Sequence, residues 1–308
     1  MPSIARQIFR AAKRLTTLVL LDLLVGGCVH SPRAQFQAVR LAAAKGDARA
    51  EYGLAGYFAR GEGVSQDYSQ AAEYLRKSAE QGYAYAETDL GSYYARGLGV
   101  SKDLSAALEW YRKAAAQDDP LAEYCIGYAY SHGDGVPKDF NEAVQWWQKS
   151  AGHDEVDAQN ALGQFYFHGE FQGDTNHVNY AESARWLLKA AEQGDVDSMN
   201  NLAFLYQNGM GVKKDLPAAF KWYRTAALKG EAMAQANLGL MYQDGTGIPP
   251  DMVQAYEWFA LSAGQGNAVG KHSFDDYNEH QRLTPAQLAE AKSFIAKFHA
   301  QNHANSSP

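Results

Sequence analysis

The chain has almost no cysteine: Cys28 and Cys125 are the only two in 308 residues. That excludes an internal disulfide framework, so stability must come from packing. It also lacks positive charge, with 28 lysines and arginines against 35 acids and a formal charge of −7. A nucleic-acid binder needs a clustered basic surface to displace counterions from phosphate, and no such stripe exists beyond the N-terminus. Apolar runs are short. The longest, Leu15 to Val25, falls below the roughly 20 residues that a bilayer requires. Catalytic signatures are missing too: no serine stands in a nucleophile elbow, and carboxylate pairs on so acidic a chain discriminate nothing. No small-molecule cofactor is expected, and no enzyme activity.

Glycine pairs are abundant, and they are spaced. Gly61-Glu62-Gly63-Val64, Gly97-Leu98-Gly99-Val100, Gly133-Asp134-Gly135-Val136, Gly209-Met210-Gly211-Val212 and Gly245-Thr246-Gly247-Ile248 are one motif, mostly at intervals of thirty-six residues. A period of this size marks a supersecondary unit that must stack on copies of itself. Before each turn, small residues (Ala50, Ala86, Ala122, Ala158, Ser198, Ala234), then leucine or isoleucine (Leu54, Leu90, Ile126, Leu162, Leu202, Leu238), then an aromatic (Phe58, Tyr94, Tyr130, Tyr166, Tyr206, Tyr242) recur four apart on one helical stripe. Beside each leucine stands a glycine or alanine, such as Gly127, whose helix-propensity cost implies close passage of another helix.

After the turn, Asp67, Asp103, Asp139, Asp215 and Asp251, with Asn179 in the fourth unit, sit where an N-cap would meet a second helix. That helix carries Tyr74, Trp110, Trp146, Trp186, Trp222 and Trp258, which the period predicts as stacking core. A glycine such as Gly194 then ends it, replaced by Asp118 and Asp154 in two units. A Gly-x-Gly can cradle phosphate, but no strand precedes these and no third glycine follows.

This pattern, six copies over residues 50 to about 266, resembles the Sel-one-like repeat, a longer relative of the tetratricopeptide repeat. The resemblance implies an all-α, right-handed α-solenoid and a scaffold for protein contact, often in bacterial envelopes. Cysteine-rich relatives pair cysteines within each repeat; with Cys125 alone in a repeat, nothing particular to them transfers. The expected division is a signal peptide at 1–27, an anchor segment and N-terminal capping helix at 28–46, the solenoid at 47–266, C-terminal capping helices at 267–301 and a disordered tail at 302–308. The fourth turn, Gly169 to Asn179, is longer than its siblings, a binding edge or simply a solvated loop.

At the N-terminus, Arg6, Arg10, Lys13 and Arg14 precede the apolar run, interrupted by Asp22, that ends in Val25-Gly26-Gly27-Cys28. That is the pattern of an export signal. Val-Gly-Gly-Cys resembles the lipobox of bacterial lipoproteins, which implies a lipid on Cys28 and membrane anchoring facing the periplasm. Val29, in place of aspartate, implies the outer membrane in a Gram-negative cell. An ordinary leader and a soluble periplasmic body is the alternative.

In tetratricopeptide-like solenoids the first helices line the concave face. Their outward positions here include Tyr52, Tyr85, Tyr124, Tyr128, Asn160, Gln164, Asn200 and Phe204, with Arg60, Arg96, His132 and His168 at the edge. Aromatics to anchor side chains, amides to bond a backbone and arginines at one end suit an extended protein or peptide partner with acidic character. His132 and His168, with His153 and His177, lack an acid or cysteine at ligand spacing, so no metal is expected. The competing readings are a periplasmic immunity protein that caps a secreted toxin and, more distantly, a cell-wall hydrolase or lactamase.

Overall fold

A computed structural model describes residues 31–169 and 178–306, with side chains as far as Gln301. The leader, Cys28, His177 and most of the long fourth turn lie outside them. Among the described residues there is no strand, and no helix is long and apolar enough to cross a membrane.

Helix α1 (Pro32–Ala43) precedes six helix-turn-helix pairs: α2 (Ala48–Arg60) with α3 (Tyr68–Glu80), α4 (Ala84–Arg96) with α5 (Leu104–Ala115), α6 (Pro120–His132) with α7 (Phe140–Gly152), α8 (Val156–His168) with α9 (Tyr180–Glu192), α10 (Val196–Asn208) with α11 (Leu216–Leu228), and α12 (Ala232–Asp244) with α13 (Met252–Gly264). Helices α14 (Ala268–Glu279) and α15 (Pro285–Ser306) follow. The fold is all-α and of the solenoid type. The chain divides into two compact units, the first ending at Ala158 and the second beginning at Gln159.

Local chemistry sets these boundaries. Asp67, Asp103, Asp139, Asn179, Asp215 and Asp251 each accept a backbone N–H at the start of a second helix. In the turns, the two glycines have separate tasks. Gly133 ends α6 in the left-handed region. A Cβ on Gly135 would stand 2.6 Å from the Leu104 carbonyl oxygen, so the turn rests directly on the start of the preceding repeat's second helix.

The leucine stripe is buried throughout, from Leu54 to Leu238. The tryptophan row is not what the period alone predicts. Trp186 and Trp258 are buried, but Tyr74, Trp110, Trp146 and Trp222 are only half-buried. The fully enclosed position is the next residue: Leu75, Tyr111, Trp147, Leu187, Tyr223 and Phe259. One residue is about 100° of helical turn. That rotation aims Trp147 at Gly127, where a Cβ would come within 2.5 Å of its Cδ1, and leaves Trp146 on the flank. Lysine stems roof the flank row: Lys113 Nζ is 3.7 Å from the Trp110 ring centroid and Lys189 Nζ 4.8 Å from that of Trp186.

At the N-terminal end, Phe36, Val39 and Ala43 of α1 pack on Leu54 and Tyr57. At the other end, Tyr277 and Ala291 join Ala255, Tyr256 and Phe259, while Phe298 meets Trp258 edge-on. Thr284 Oγ1 caps α15 by accepting the Gln287 N–H, and the Thr284 N–H and hydroxyl donate to Gln287 Oε1 in return. This helix runs to Ser306. No glycine or proline interrupts it before Pro308.

Candidate interaction surface

Each first helix spends one face on its successor, and several residues expected in a groove belong to that face. Tyr52 is buried, 1% exposed, with its hydroxyl donating to Asp89 Oδ2 at 3.0 Å. Thr88, one repeat on, donates to Asp119 Oδ1 at 3.2 Å. Tyr124, at the same place in the third repeat, is buried as well. Neither tyrosine is available to a ligand. In the second unit Asn160 donates to Asp195 Oδ1 at 2.9 Å and Ser198 Oγ at 2.6 Å, and Gln164 donates to Asn160 Oδ1 at 2.6 Å. Asn200 accepts from Asn237 at 2.9 Å and donates to Asn201 at 3.3 Å. These amides tie neighbouring helices together; they do not wait for a peptide backbone. Their positions look outward on an isolated helix and inward once the next repeat stacks.

What faces outward lies one turn further along. In the first unit Arg96 and His132 are exposed, and Tyr128 is half-buried and stacked on His132 with centroids 3.9 Å apart. Arg60 is held by Glu62 at 2.7 Å and lies over the Tyr57 ring. Tyr85 packs half-buried against Tyr83 and Tyr52. Between α4, α5 and α6 opens a cavity of about 250 Å³, with Arg96 and Tyr128 in its lining. In the second unit Phe204 is 38% exposed and its ring lies 5.8 Å from that of Phe167, which also meets the exposed His168. The cation-rich surface of the first unit and the aromatic surface of the second are each available.

A second polar ladder went unread in the sequence. Gln81 donates to Glu51 Oε2 at 2.6 Å, Gln117 to Glu87 Oε2 at 2.8 Å, and His153 Nδ1 lies 3.2 Å from Glu123 Oε2. Neutral rungs continue in the second unit, Gln193 to Gln159 at 2.9 Å and Gln265 to Gln235 at 2.8 Å. Burial pushes the Glu51 and Glu87 carboxyls above the ordinary carboxylate range, against the pull of the amides and of Lys77 and Lys113. Glu123 is fully enclosed and ion-paired to Lys149 at 2.8 Å. The recurrence of glutamate at 51, 87 and 123, with a polar residue thirty positions on, was the available signal.

Reactive groups are taken into packing. Burial pushes the free Cys125 thiol well up, away from thiolate. Among the described residues no three of His, Cys, Asp and Glu gather as a metal site.

Comparison with known proteins places the repeat. The Sel1 repeat matches six times, at residues 48–83, 84–119, 120–154, 156–195, 196–231 and 232–267. Among solved structures, a protective antigen present in uropathogenic Escherichia coli strains, with an SLR fold, is 33% identical over 85% of this chain, with a TM-score of 0.74. The chain spans 56% of that protein's length. A Sel1 repeat protein from Oxalobacter formigenes is 31% identical over 76% of this chain and 94% of its own, with a TM-score of 0.69. No curated protein matches. Sel1 repeat proteins are typically protein-interaction scaffolds with a generally non-enzymatic fold. With six consecutive repeats accounting for most of its length, the chain belongs to the Sel1 repeat family.

Proposed function

We propose that this protein is a non-enzymatic scaffold that holds a protein or peptide partner on the outward positions of its first helices, and that a lipid on Cys28 carries it at the bacterial cell envelope, facing the periplasm. The observation behind the scaffold reading is a division of labour within the repeat. Groups with chemical potential, such as Cys125, Glu123 and Tyr52, are buried in packing or in inter-helix bonds. The exposed outward positions, where the repeat does not dictate residue type, carry Arg96, His132 and Phe204. Exposed arginine and aromatic side chains are the residue types that dominate binding energy at protein interfaces. The anchor is supported by the basic leader and by Val25-Gly26-Gly27-Cys28.

Crosslinking in native membranes followed by affinity capture tests the scaffold. The folded chain should retain discrete partners. A variant with Arg96→Glu, Tyr128→Ala and Phe204→Ala should lose them at unchanged melting temperature, since surface changes typically stay within about 0.5 kcal/mol. Full retention by this variant overturns the assignment of the surface. For the anchor, Cys28→Ser should abolish fatty-acid labelling and release the protein from membranes; persistent labelling overturns it.

A further inference from the structure

The cavity between α4, α5 and α6 opens beside two small side chains, Ser92 and Ala95. At the outward position of successive first helices stand Gly56, Ser92, Tyr128, Gln164, Phe204 and Leu240. Three residues further on stand Ala59, Ala95, Ser131, Phe167, Gln207 and Gln243. Ser92 is smaller than Tyr128, Gln164 and Phe204 of later repeats, and the cavity beside it and Ala95 measures about 250 Å³. Its walls are mainly apolar, from Leu108 of α5 and Ala129 of α6 among others. At its base the Tyr111 hydroxyl and Ser92 Oγ are 3.2 Å apart, beside the buried Cys125.

The rim is charged, and unevenly. Arg96 and Lys102 line it and are exposed, and neither has a carboxylate partner among the described residues. Asp134 is the one acid in the lining. Two exposed cations thus stand at the mouth of an apolar hole, on a chain whose net charge is −7. A cation pair of this kind complements an anion set beside an apolar group, which a bare hydrocarbon or a basic peptide does not offer.

We propose that this cavity is a side-chain pocket for an acidic peptide segment of the partner: one bulky apolar residue enters between α4 and α6, and an adjacent Asp or Glu carboxylate meets Arg96 and Lys102. The assignment rests on the scaffold reading and gives it a ligand class. Cys125 contributes shape and no covalent step.

The test uses a random-heptapeptide phage library selected on the immobilised full chain, with synthetic copies of enriched peptides measured by fluorescence anisotropy. Ser92→Tyr fills the cavity with the side chain that α6 already carries at Tyr128, so the helix accepts it; unchanged circular dichroism and melting verify this. Enriched peptides should share an apolar residue next to an acid. They should lose at least tenfold in affinity on Ser92→Tyr and on Arg96→Glu with Lys102→Glu, and weaken as salt is raised. Peptides without an acid, peptides indifferent to Ser92→Tyr, or no enrichment at all overturn the pocket. Crosslinked partners that persist on the Ser92→Tyr protein in native membranes overturn the pocket alone and leave the scaffold standing; absence of any partner on the unaltered chain overturns the scaffold.

Discussion

The two units build the same ladder from different chemistry. Up to Ala158 the buried rung on each first helix is a carboxylate, Glu51, Glu87 and Glu123, and from Gln159 onward it is Gln159, Met199 and Gln235. The partner at the end of the second helix is an amide in most rungs of both units, and each carboxylate adds a lysine nearby, Lys77, Lys113 or Lys149. The position therefore demands a bond to the end of the next helix more than it demands charge. Where charge is used, a cation accompanies it. The contrast sharpens at Glu257 of the second unit, a buried carboxylate that receives one hydrogen bond, from Gln254 Nε2 at 2.7 Å, and has Asp251 and Glu290 for charged neighbours.

The largest effect should come from a position where both units obey one rule. Trp147, facing Gly127, and Leu187, facing Gly163, are equivalent closed contacts. Trp147→Ala should cost about 3–5 kcal/mol and Leu187→Ala about 2–5, whereas Trp146→Ala, on the half-buried flank, should cost far less. Urea unfolding of the three variants measures this directly. A larger loss at Trp146 than at Trp147 would return the core to the position that the period suggests.

The ladder itself is broken by removing its cation. Lys149→Met leaves the enclosed Glu123 with His153 alone, and should cost about 2 kcal/mol, below the range for fully buried pairs because Lys149 is 44% exposed. The matching Lys189→Met, beside the neutral Gln159–Gln193 rung, should cost under about 1 kcal/mol. Equal losses in chemical denaturation would mean that charge pairing does not distinguish the units.

Much of the fold was legible because the repeat prints its own controls. Six N-caps, the turn glycines and the leucine stripe recur at a period of thirty-six that stretches only around the fourth turn, and local backbone chemistry determines each of them. The surface was less legible, because facing outward on one helix says nothing about the next helix. Tyr52, Tyr124 and Asn160 share one repeat position, and each is drawn into packing or bonding that the periodicity of one repeat does not reveal. The tryptophan row misled for a related reason: adjacent Trp146 and Trp147 differ only by a rotation of about 100°, which depends on how the helices dock. The cavity was visible only in part, as a small Ser92 ahead of the bulkier Tyr128, Gln164 and Phe204 of later repeats.

Burial raises Glu257 as it raises Glu51 and Glu87, but its charged neighbours are acids and no lysine pulls the other way. Burial first, then Asp251 and Glu290, raise its carboxyl to about 7. Between its unfolded value, near 4.5, and 7 the folded protein holds a proton that the unfolded chain has released, so stability from this group falls as pH rises through that window and is level above it. Glu257→Gln keeps the uncharged shape and should stabilise by about 1–3 kcal/mol at pH 8 and by little at pH 4.5. Glu123→Gln, which strips a charge from beside Lys149, should destabilise at pH 8. Melting curves at the two pH values check both, and the same sign for the two variants would erase the distinction between paired and unpaired carboxylates.

The smallest difference lies in the links between repeats. Gly194, Gly230 and Gly266 close second helices of the second unit with φ of 99°, 88° and 81°, while in the first unit Gly82 does so at 81° but Asp118 and Asp154 at 57° and 60°. A Cβ in the left-handed region carries a steric cost of roughly 1 kcal/mol, which aspartate partly offsets through local hydrogen bonding. Asp118 also holds Lys149 at 3.1 Å, so its replacement loses an ion pair as well. Asp154 has a partner of its own, so Asp154→Gly should stabilise by no more than about 0.5 kcal/mol and raise the melting temperature by at most roughly 1–2 °C for a chain of this size. The reciprocal Gly194→Asp should lower it by more, since the wider φ of 99° lies further from where aspartate settles. If Asp154→Gly lowers the melting temperature instead, the aspartate is held there by contacts worth more than its backbone strain, and the first unit's links are adapted to charge as its ladder is.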